Sequence, residues 1–288
     1  MRVHLNGRLV EEREALVSVF DRGFLFGDGL FESMRAVGGT VFRLDRHLER
    51  LRNAAVLMGL DLGGVGTGLA AAVDELIRDN RLGDARVRIT VTRGRGRPGE
   101  YLEATGPPTV VIVAVPFSGL GARRHEEGVS VAVSSRRQIP PESLDPAIKS
   151  ISRLSSVLAR REASALGAFE ALLLDGAGDL TEGTVSNLFI TDRRRLLTPA
   201  LPAGCLPGIT RGAVIELAAG AGLEVREERL PAAILCRSDE VFLTNTSWEV
   251  LPVVRVDGRP VGDGRPGPVA RDLLARYRDL VGRECVRE

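Results

Sequence analysis

"DPAIKSISRLSSVLARREASAL", residues 145–166, sets the reading of the whole chain, because it holds the single lysine of a 288-residue protein that carries 39 Lys and Arg residues. Every other one of those basic residues is arginine. Codon usage alone could leave one surface lysine behind. The chemical alternative is that Lys149 does something a guanidinium cannot. Arginine stays protonated, whereas an ammonium can be desolvated, deprotonated and used as a nucleophile. The surroundings suit a reactive amine. Lys149 follows the irregular, proline-bearing "IPPESLDPAI". It precedes a run in which Leu154, Val157, Leu158 and Ala165 fall at helical spacing behind hydroxyl residues fit for capping. The spacing predicts a helix with Lys149 projecting from its start, close to a strand end.

Outward from this segment, strand and helix signals alternate. "RVHLNGRLV" reads as a hairpin about Asn6-Gly7, and "LFESMRAVGGTVFRL" as a second about Gly38-Gly39. "LDRHLERLRNAAVLMGL" is an amphipathic helix, followed by strands "ARVRITVTR" and "TVVIVAVPF". After the lysine come strand "FEALLLD", turn "GAGD", strand "SNLFITD", helix "RGAVIELAAGAG", strand "EVFLTN", a "VDGR" hairpin and a terminal helix. The pattern is mixed α/β (α+β) in two domains. The glycine-rich, charged and aperiodic stretch at residues 117–128 is the expected linker. It separates a small N-terminal domain (1–116) from a larger C-terminal one (129–288) that carries the lysine.

Thirty-nine basic against 38 acidic residues give a formal net charge of +1, so no broad field directs the protein to nucleic acid or a membrane. A small-molecule partner is expected. Cys205, Cys236 and Cys285 are widely spaced, which suggests reduced thiols in a cytoplasmic protein rather than a disulfide framework or a zinc site. "TVVIVAVPF" is too short to span a bilayer. His4, His47 and His125 lack metal-ligand spacing, and no GxSxG serine accompanies them. "GRGRPG" (94–99) matches a dinucleotide fingerprint, but Pro98 and the "EYLEATGPP" after it offer no helix for a pyrophosphate to cap. Chemistry carried by an amine remains.

An amine nucleophile usually means a Schiff base, and pyridoxal 5'-phosphate is the common cofactor that uses one. It needs a lysine, a phosphate cradle and an acidic partner for its pyridine nitrogen. "LPGITRGAVIELA" puts Gly208, Ile209 and Thr210 at a helix start, where backbone N–H groups favour an anion, although ordinary capping would look the same. "TNTSWEV" places Thr244, Thr246 and Ser247 after a strand, as a second anion nest or a plain polar turn. Arg50 lies with Arg46, His47 and Arg52 on a basic helix face, which could equally be solvated. Glu182, beside Gly183, is either the nitrogen partner or a turn carboxylate.

Together and in order, "RGFLFGDGLFESMR", "FRLDRHLERL", "AIKSISRLSSVLARREA", "EALLLDGAGDLTEGTVSNLF", "LPGITR" and "TNTSWEVLPV" resemble the fold type IV pyridoxal-phosphate enzymes. This class IV aminotransferase family includes branched-chain and D-amino-acid aminotransferases and aminodeoxychorismate lyase. The resemblance runs from about residue 2 to "VGDGRPGPVARDLLARY" near the C-terminus. It implies a small α/β domain, a larger pseudo-barrel domain, pyridoxal 5'-phosphate in the cleft between them, and a homodimer. By the same resemblance Lys149 is the Schiff-base lysine and Glu182 holds the pyridine nitrogen protonated. Arg50, Ile209, Thr210, Thr246 and the adjoining Ser247 bind the phosphate, and Leu206 packs on the ring.

"RGFLFGDGLFE", Arg153 and "RGRGRPGEY" look like the lyase; "GITR" and "VGDGRPGP" look like the aminotransferases, which is the reading favoured here. Ser33 departs from the branched-chain enzymes, which have glycine there, and "RPGEY" lacks the Arg-x-His of typical D-amino-acid enzymes. The expected reaction is a ping-pong exchange between an amino acid of branched-chain or D type and a 2-oxo acid. The alternatives are the lyase and a non-catalytic protein of the same fold. An α-carboxylate favours a bidentate arginine, so Arg97, then Arg95, are the candidates in "TRGRGRPGEY". Phe24, Phe26, Phe31 and Met34 would supply an apolar wall for the side chain, and period-2 alternation assigns about half of them to the core.

Overall fold

The computed structural model describes residues 1–63, 65–97, 99, 104–193 and 195–285. Contacts group the chain into two compact units, one of Met1–Ser118, Ile148–Ser152 and Val281–Glu288, the other of Gly119–Ala147 and Arg153–Leu280. The five residues around Lys149 therefore count with the N-terminal unit, although the chain on either side of them belongs to the other.

The first unit is built on a six-stranded antiparallel sheet. Its strands are β1 (Arg2–Leu5), β2 (Arg8–Glu11), β3 (Gly29–Val37), β4 (Thr40–Val41), β5 (Ala85–Thr92) and β6 (Thr109–Pro116), in the order β2-β1-β6-β5-β3-β4. Both expected hairpins form, with Asn6 and Gly7 at φ 49° and 84° and Gly38 and Gly39 at 57° and 82°, the left-handed pair that a two-residue turn requires. A short helix, α1 (Arg22–Phe26), precedes β3. Helices α2 (Leu44–Leu57) and α3 (Val65–Asp79) cover one face of the sheet. Strict alternation builds that face: Ala85, Val87, Ile89 and Val91 of β5 are buried against the helices, while Arg86 and Arg88 are exposed on the other side. Met34 is fully buried in this core, so it cannot line a substrate pocket.

The second unit is a pseudo-barrel built on a ten-stranded mixed sheet. Its strands are β7 (Val129–Arg137), β8 (Glu170–Leu174), β9 (Asp179–Gly183), β10 (Asn187–Asp192), β11 (Arg195–Pro199), β12 (Glu224–Glu228), β13 (Leu230–Pro231), β14 (Glu240–Asn245), β15 (Glu249–Val256) and β16 (Arg259–Pro260). The order is β12-β11-β10-β14-β15-β7-β8-β9-β13, with β16 on β15. Strand β9, paired to β8 and β13, also lies against β10, which curls the sheet around a core of Leu172, Leu180, Leu188, Leu243 and Leu251. Its helices are α4 (Ala122–Glu127), α5 (Leu154–Ala165) and α6 (Ile209–Gly220); α7 (Pro268–Cys285) starts in this unit.

Three expectations change. Residues 117–128, expected as an aperiodic linker, contain α4, although the chain does pass from the first unit to the second within them, between Ser118 and Gly119. Lys149 does not stand at a helix start: α5 begins only at Leu154, and its buried side is Ala159 and Ala163, while Leu154 is 69% exposed and Val157 50%. Glu182 lies on strand β9 and not in a turn.

Candidate active site

Lys149 is held as an extra strand segment. The N–H of Phe31 donates to its carbonyl at 2.9 Å, the N–H of Ile151 donates to the Gly29 carbonyl at 3.0 Å, and Leu30 bridges Ser150. Ile148 packs on the core of the first unit. The close approach requires glycine at position 29, where a Cβ would fall 2.5 Å from the Val91 carbonyl oxygen. The main chain is thus fixed on both sides of the lysine. Its Nζ lies 4.8 Å from the ring centroid of Phe31, a side chain only 9% exposed, with the Arg88 guanidinium 4.0 Å from the same ring.

Alternation along β3 sends the next side chain, Glu32, to the helix-covered face, where it is 0% exposed. A carboxylate there demands partners. Arg50 of α2 supplies a fork, Nε to Oε1 and Nη2 to Oε2, each 2.7 Å, and His47 Nδ1 lies 2.8 Å from Oε2. Burial alone would raise the Glu32 pKa; the charge of Arg50 and the hydrogen bonds from His47 and Arg50 outweigh it, leaving the pKa at about 2. Burial lowers the His47 pKa; its contacts with Glu32 oppose this, and the charges of Arg50 and Lys149 add to it. Arg50 is therefore anchored in a buried ion cluster and is not on a solvated face.

In the second unit, Glu182 on β9 is held at both oxygens. Gln138 Nε2 donates to Oε1 at 3.0 Å and to the Gly204 carbonyl at 2.8 Å; the Leu206 N–H donates to Oε2 at 2.9 Å. Both carboxyl oxygens accept, as a carboxylate's do. The Leu206 carbonyl takes the Asn187 amide at 2.8 Å. Burial pushes the neighbouring Cys205 thiol up, and the charge of Glu182 adds to this, to about 12. That thiol stays protonated.

Helix α6 starts at Ile209 behind Gly208, with no side chain capping its first amides. Asn187 Oδ1 would lie 2.0 Å from a Cβ at position 208, so only glycine fits. Thr210 is buried, its Oγ1 3.5 Å from the Tyr277 hydroxyl. In the turn after β14, Asn245 Oδ1 accepts the amides of Ser247 and Trp248 at 2.8 and 2.7 Å, while Thr246 is half-buried. Thr244 Oγ1 is buried without a hydrogen-bond partner. Within the second unit, an uncapped helix start, an orphaned hydroxyl and an oriented carboxylate fit a phosphate and a pyridine nitrogen; within the first, a lysine on an aromatic face fits an aldehyde.

Residues 29–256 match the family model described as "Amino-transferase class IV". The chain belongs to the class IV aminotransferases. It is 40% identical to a Methanocaldococcus jannaschii protein provisionally named a branched-chain-amino-acid aminotransferase, over 97% of this chain and 96% of that one. It is 34% identical to the D-alanine aminotransferase of Bacillus licheniformis, over 98% and 97%. The branched-chain amino acid aminotransferase of T.th., solved with pyridoxamine 5'-phosphate, superposes with a TM-score of 0.93 at 32% identity, covering 98% of this chain and 94% of that one. This aminotransferase uses pyridoxal 5'-phosphate. The aminotransferase reading of the sequence holds, and the lyase and non-catalytic alternatives give way to it.

Among the candidate substrate residues, Phe31 meets Lys149, whereas Phe24 and Phe26 of α1 are exposed, the latter 5.3 Å from the Arg22 guanidinium. Arg95 and Arg97 are exposed, with Arg95 5.8 Å from the Phe20 ring; Pro98, Glu100 and Tyr101 of the same loop lie outside the described residues. Sequence reading passes over Glu32 and Arg88 in the first unit and Gln138 in the second, and it gives His47 no role beyond a basic helix face. Glu32 carries a readable signal, a carboxylate among the inward positions Leu30, Met34 and Ala36, with His47 and Arg50 one turn apart on the facing helix.

Proposed function

We propose that this aminotransferase moves an amino group between branched-chain aliphatic amino acids and a 2-oxo acid such as 2-oxoglutarate, in a reversible ping-pong exchange, with Lys149 and Glu182 as catalytic residues. The carrying observation is the lysine amine set against the Phe31 ring, which puts apolar surface beside the reacting group. Pyridoxal phosphate, when bound, supplies the electron sink and carries the amino group between the two half-reactions. Lys149 holds the cofactor covalently at rest and moves the proton at the substrate α-carbon. Glu182, fixed by Gln138 and Leu206, keeps a proton on the pyridine nitrogen. Arg50, Ile209, Thr210, Thr246 and Ser247 bind the phosphate, Ser247 through its hydroxyl because its amide is used by Asn245. Leu206 packs on the ring, Phe26 and Phe31 meet the substrate side chain, and Arg97 or Arg95 meets its carboxylate.

The test is single-turnover spectroscopy. L-leucine and L-valine should bleach the visible band of the bound cofactor, and 2-oxoglutarate should restore it. If only D-alanine and its relatives bleach the band, the D-amino-acid reading replaces the branched-chain one.

We further infer a homodimer in the cytoplasm. Support for the dimer comes from Leu16, Val17, Val19, Phe20, Phe24, Leu25 and Phe26, large apolar side chains exposed within eleven residues of the first unit. No helix among the described residues is long and apolar enough to cross a membrane, and the three free cysteines suit a reducing compartment.

A further inference from the structure

We propose that Gln138 is a positioning residue for the transamination, acting through Glu182; this rests on the reading that Glu182 serves the pyridine nitrogen. The end of β7 is tied down where Gln138 leaves it, its backbone N–H donating to the Leu174 carbonyl at 2.9 Å. From that fixed point one side-chain amide uses its two N–H groups on two acceptors, the Glu182 carboxylate and the Gly204 carbonyl. Leu206, two residues after Gly204, donates to the other carboxylate oxygen and is itself held by Asn187. Gln138 thus fastens the carboxylate and the loop before α6 to each other. The carboxylate plane is set by two donors on opposite oxygens.

The arrangement also says which substitutions should matter. Methionine matches glutamine in length but donates nothing, so Gln138→Met leaves one carboxylate oxygen and the Gly204 carbonyl without this donor. Arginine is longer but still donates, so Gln138→Arg should preserve the geometry. A residue that merely filled space would give the opposite ranking, with methionine tolerated and arginine disruptive.

The experiment reconstitutes wild type and both variants with pyridoxal 5'-phosphate labelled with 15N at the ring nitrogen. It reads the 15N shift, the cofactor dissociation constant and the single-turnover rate with L-leucine. Gln138→Met should move the 15N resonance from the protonated toward the unprotonated position. It should also slow the half-reaction about 10- to 100-fold, the loss of one hydrogen bond to a charged group. Cofactor affinity and half-saturation by leucine should stay within about threefold, because neither the phosphate nor the substrate contacts change. Gln138→Arg keeps donors for both acceptors but adds a positive charge beside Glu182, so its rate and affinities should lie closer to wild type than those of Gln138→Met. If the methionine variant does not fold, Gln138→Asn, one methylene too short to reach both acceptors, must show the same 15N shift. A wild-type resonance and rate in Gln138→Met, or equal damage in Gln138→Arg, overturns the proposal. An unprotonated ring nitrogen in the wild type would instead refute the Glu182 assignment on which it rests.

Discussion

Glu32 shows how a single buried side chain fixes the behaviour of its neighbours. With its pKa held at about 2 against an ordinary 4.5, it favours the folded state fully above pH 4.5, and that contribution is lost as pH falls from 4.5 toward 2. The size is about 3 kcal/mol, from some 1.4 kcal/mol per pH unit. His47 acts in the same direction: because burial lowers its pKa, the unfolded chain takes up a proton first as pH drops through 6.5, and stability falls there too. Urea titrations of the cofactor-free protein from pH 8 to 3 should show both losses, and Glu32→Gln should flatten the lower one. The same cluster complicates any test of Arg50 as a phosphate ligand. Arg50→Ala strands the Glu32 carboxylate and should cost about 3–5 kcal/mol of stability before any cofactor is added. Adding Glu32→Gln to that variant should recover much of the loss while leaving cofactor binding weak; recovery of both would remove Arg50 from the phosphate site. Lys149 poses the reverse case. Lys149→Arg keeps the charge over Phe31 and should fold, yet turnover should vanish, since a guanidinium gives up no proton. Lysine and glutamate were legible in the sequence by type and motif. Gln138 was not, since a neutral amide acquires meaning only from what it touches.

At the level of elements, the hairpins, α2 and the alternating strands could be read directly, because Asn-Gly and Gly-Gly turns and period-2 burial are local properties. Strand β9 could not. "DLTEG" has one large apolar residue, and its strand character comes from pairing with β8 and β13, with Thr181 hydrogen-bonded to the Leu173 carbonyl. The α5 pattern misled for a related reason: the spacing of Leu154 and Val157 is helical, but alanines face the sheet and these two face out. The strand-like hold on Lys149 is likewise non-local, since it depends on main-chain bonds to β3 over a hundred residues away. Gly29→Ala tests that hold. A methyl 2.5 Å from the Val91 carbonyl and 2.9 Å from Ile151 Cδ1 must push β5 or the lysine segment aside. Overpacking of this kind costs about 1–3 kcal/mol. We expect a lower melting temperature together with faster hydrogen exchange at the amides of Phe31 and Ile151. Wild-type exchange at both would mean that the lysine segment is held by something other than these two bonds.

For the molecule as a whole, the apolar residues at 16–26 decide between a monomer and a dimer. They are not held loosely. Buried Asp21 caps α1 through the Gly23 amide and accepts from the hydroxyls of Thr92 and Thr109 at 2.8 and 2.7 Å. Asp28, just past the helix, pairs with both Arg22 and Arg93 at 2.9 Å. Two carboxylates thus lock the short helix in place while Phe24, 74% exposed, and Leu16, 79% exposed, point away from the core of their unit. An apolar surface of this kind supports the proposed homodimer, in which a second copy of the chain brings a matching one. In a two-fold interface each residue occurs twice, so a single substitution is counted on both sides. Placing a charge at Phe24 forfeits about 1.5–3 kcal/mol of burial per subunit, hence about 3–6 kcal/mol per dimer. That corresponds to a dissociation constant roughly two to four decades weaker. Sedimentation velocity across a concentration series should find the wild type dimeric at micromolar concentration and Phe24→Asp monomeric. Because Asp21 and Asp28 anchor α1 without Phe24, the monomer should keep its melting profile. A monomeric wild type, or a Phe24→Asp dimer of undiminished affinity, would leave these residues without the partner assigned to them.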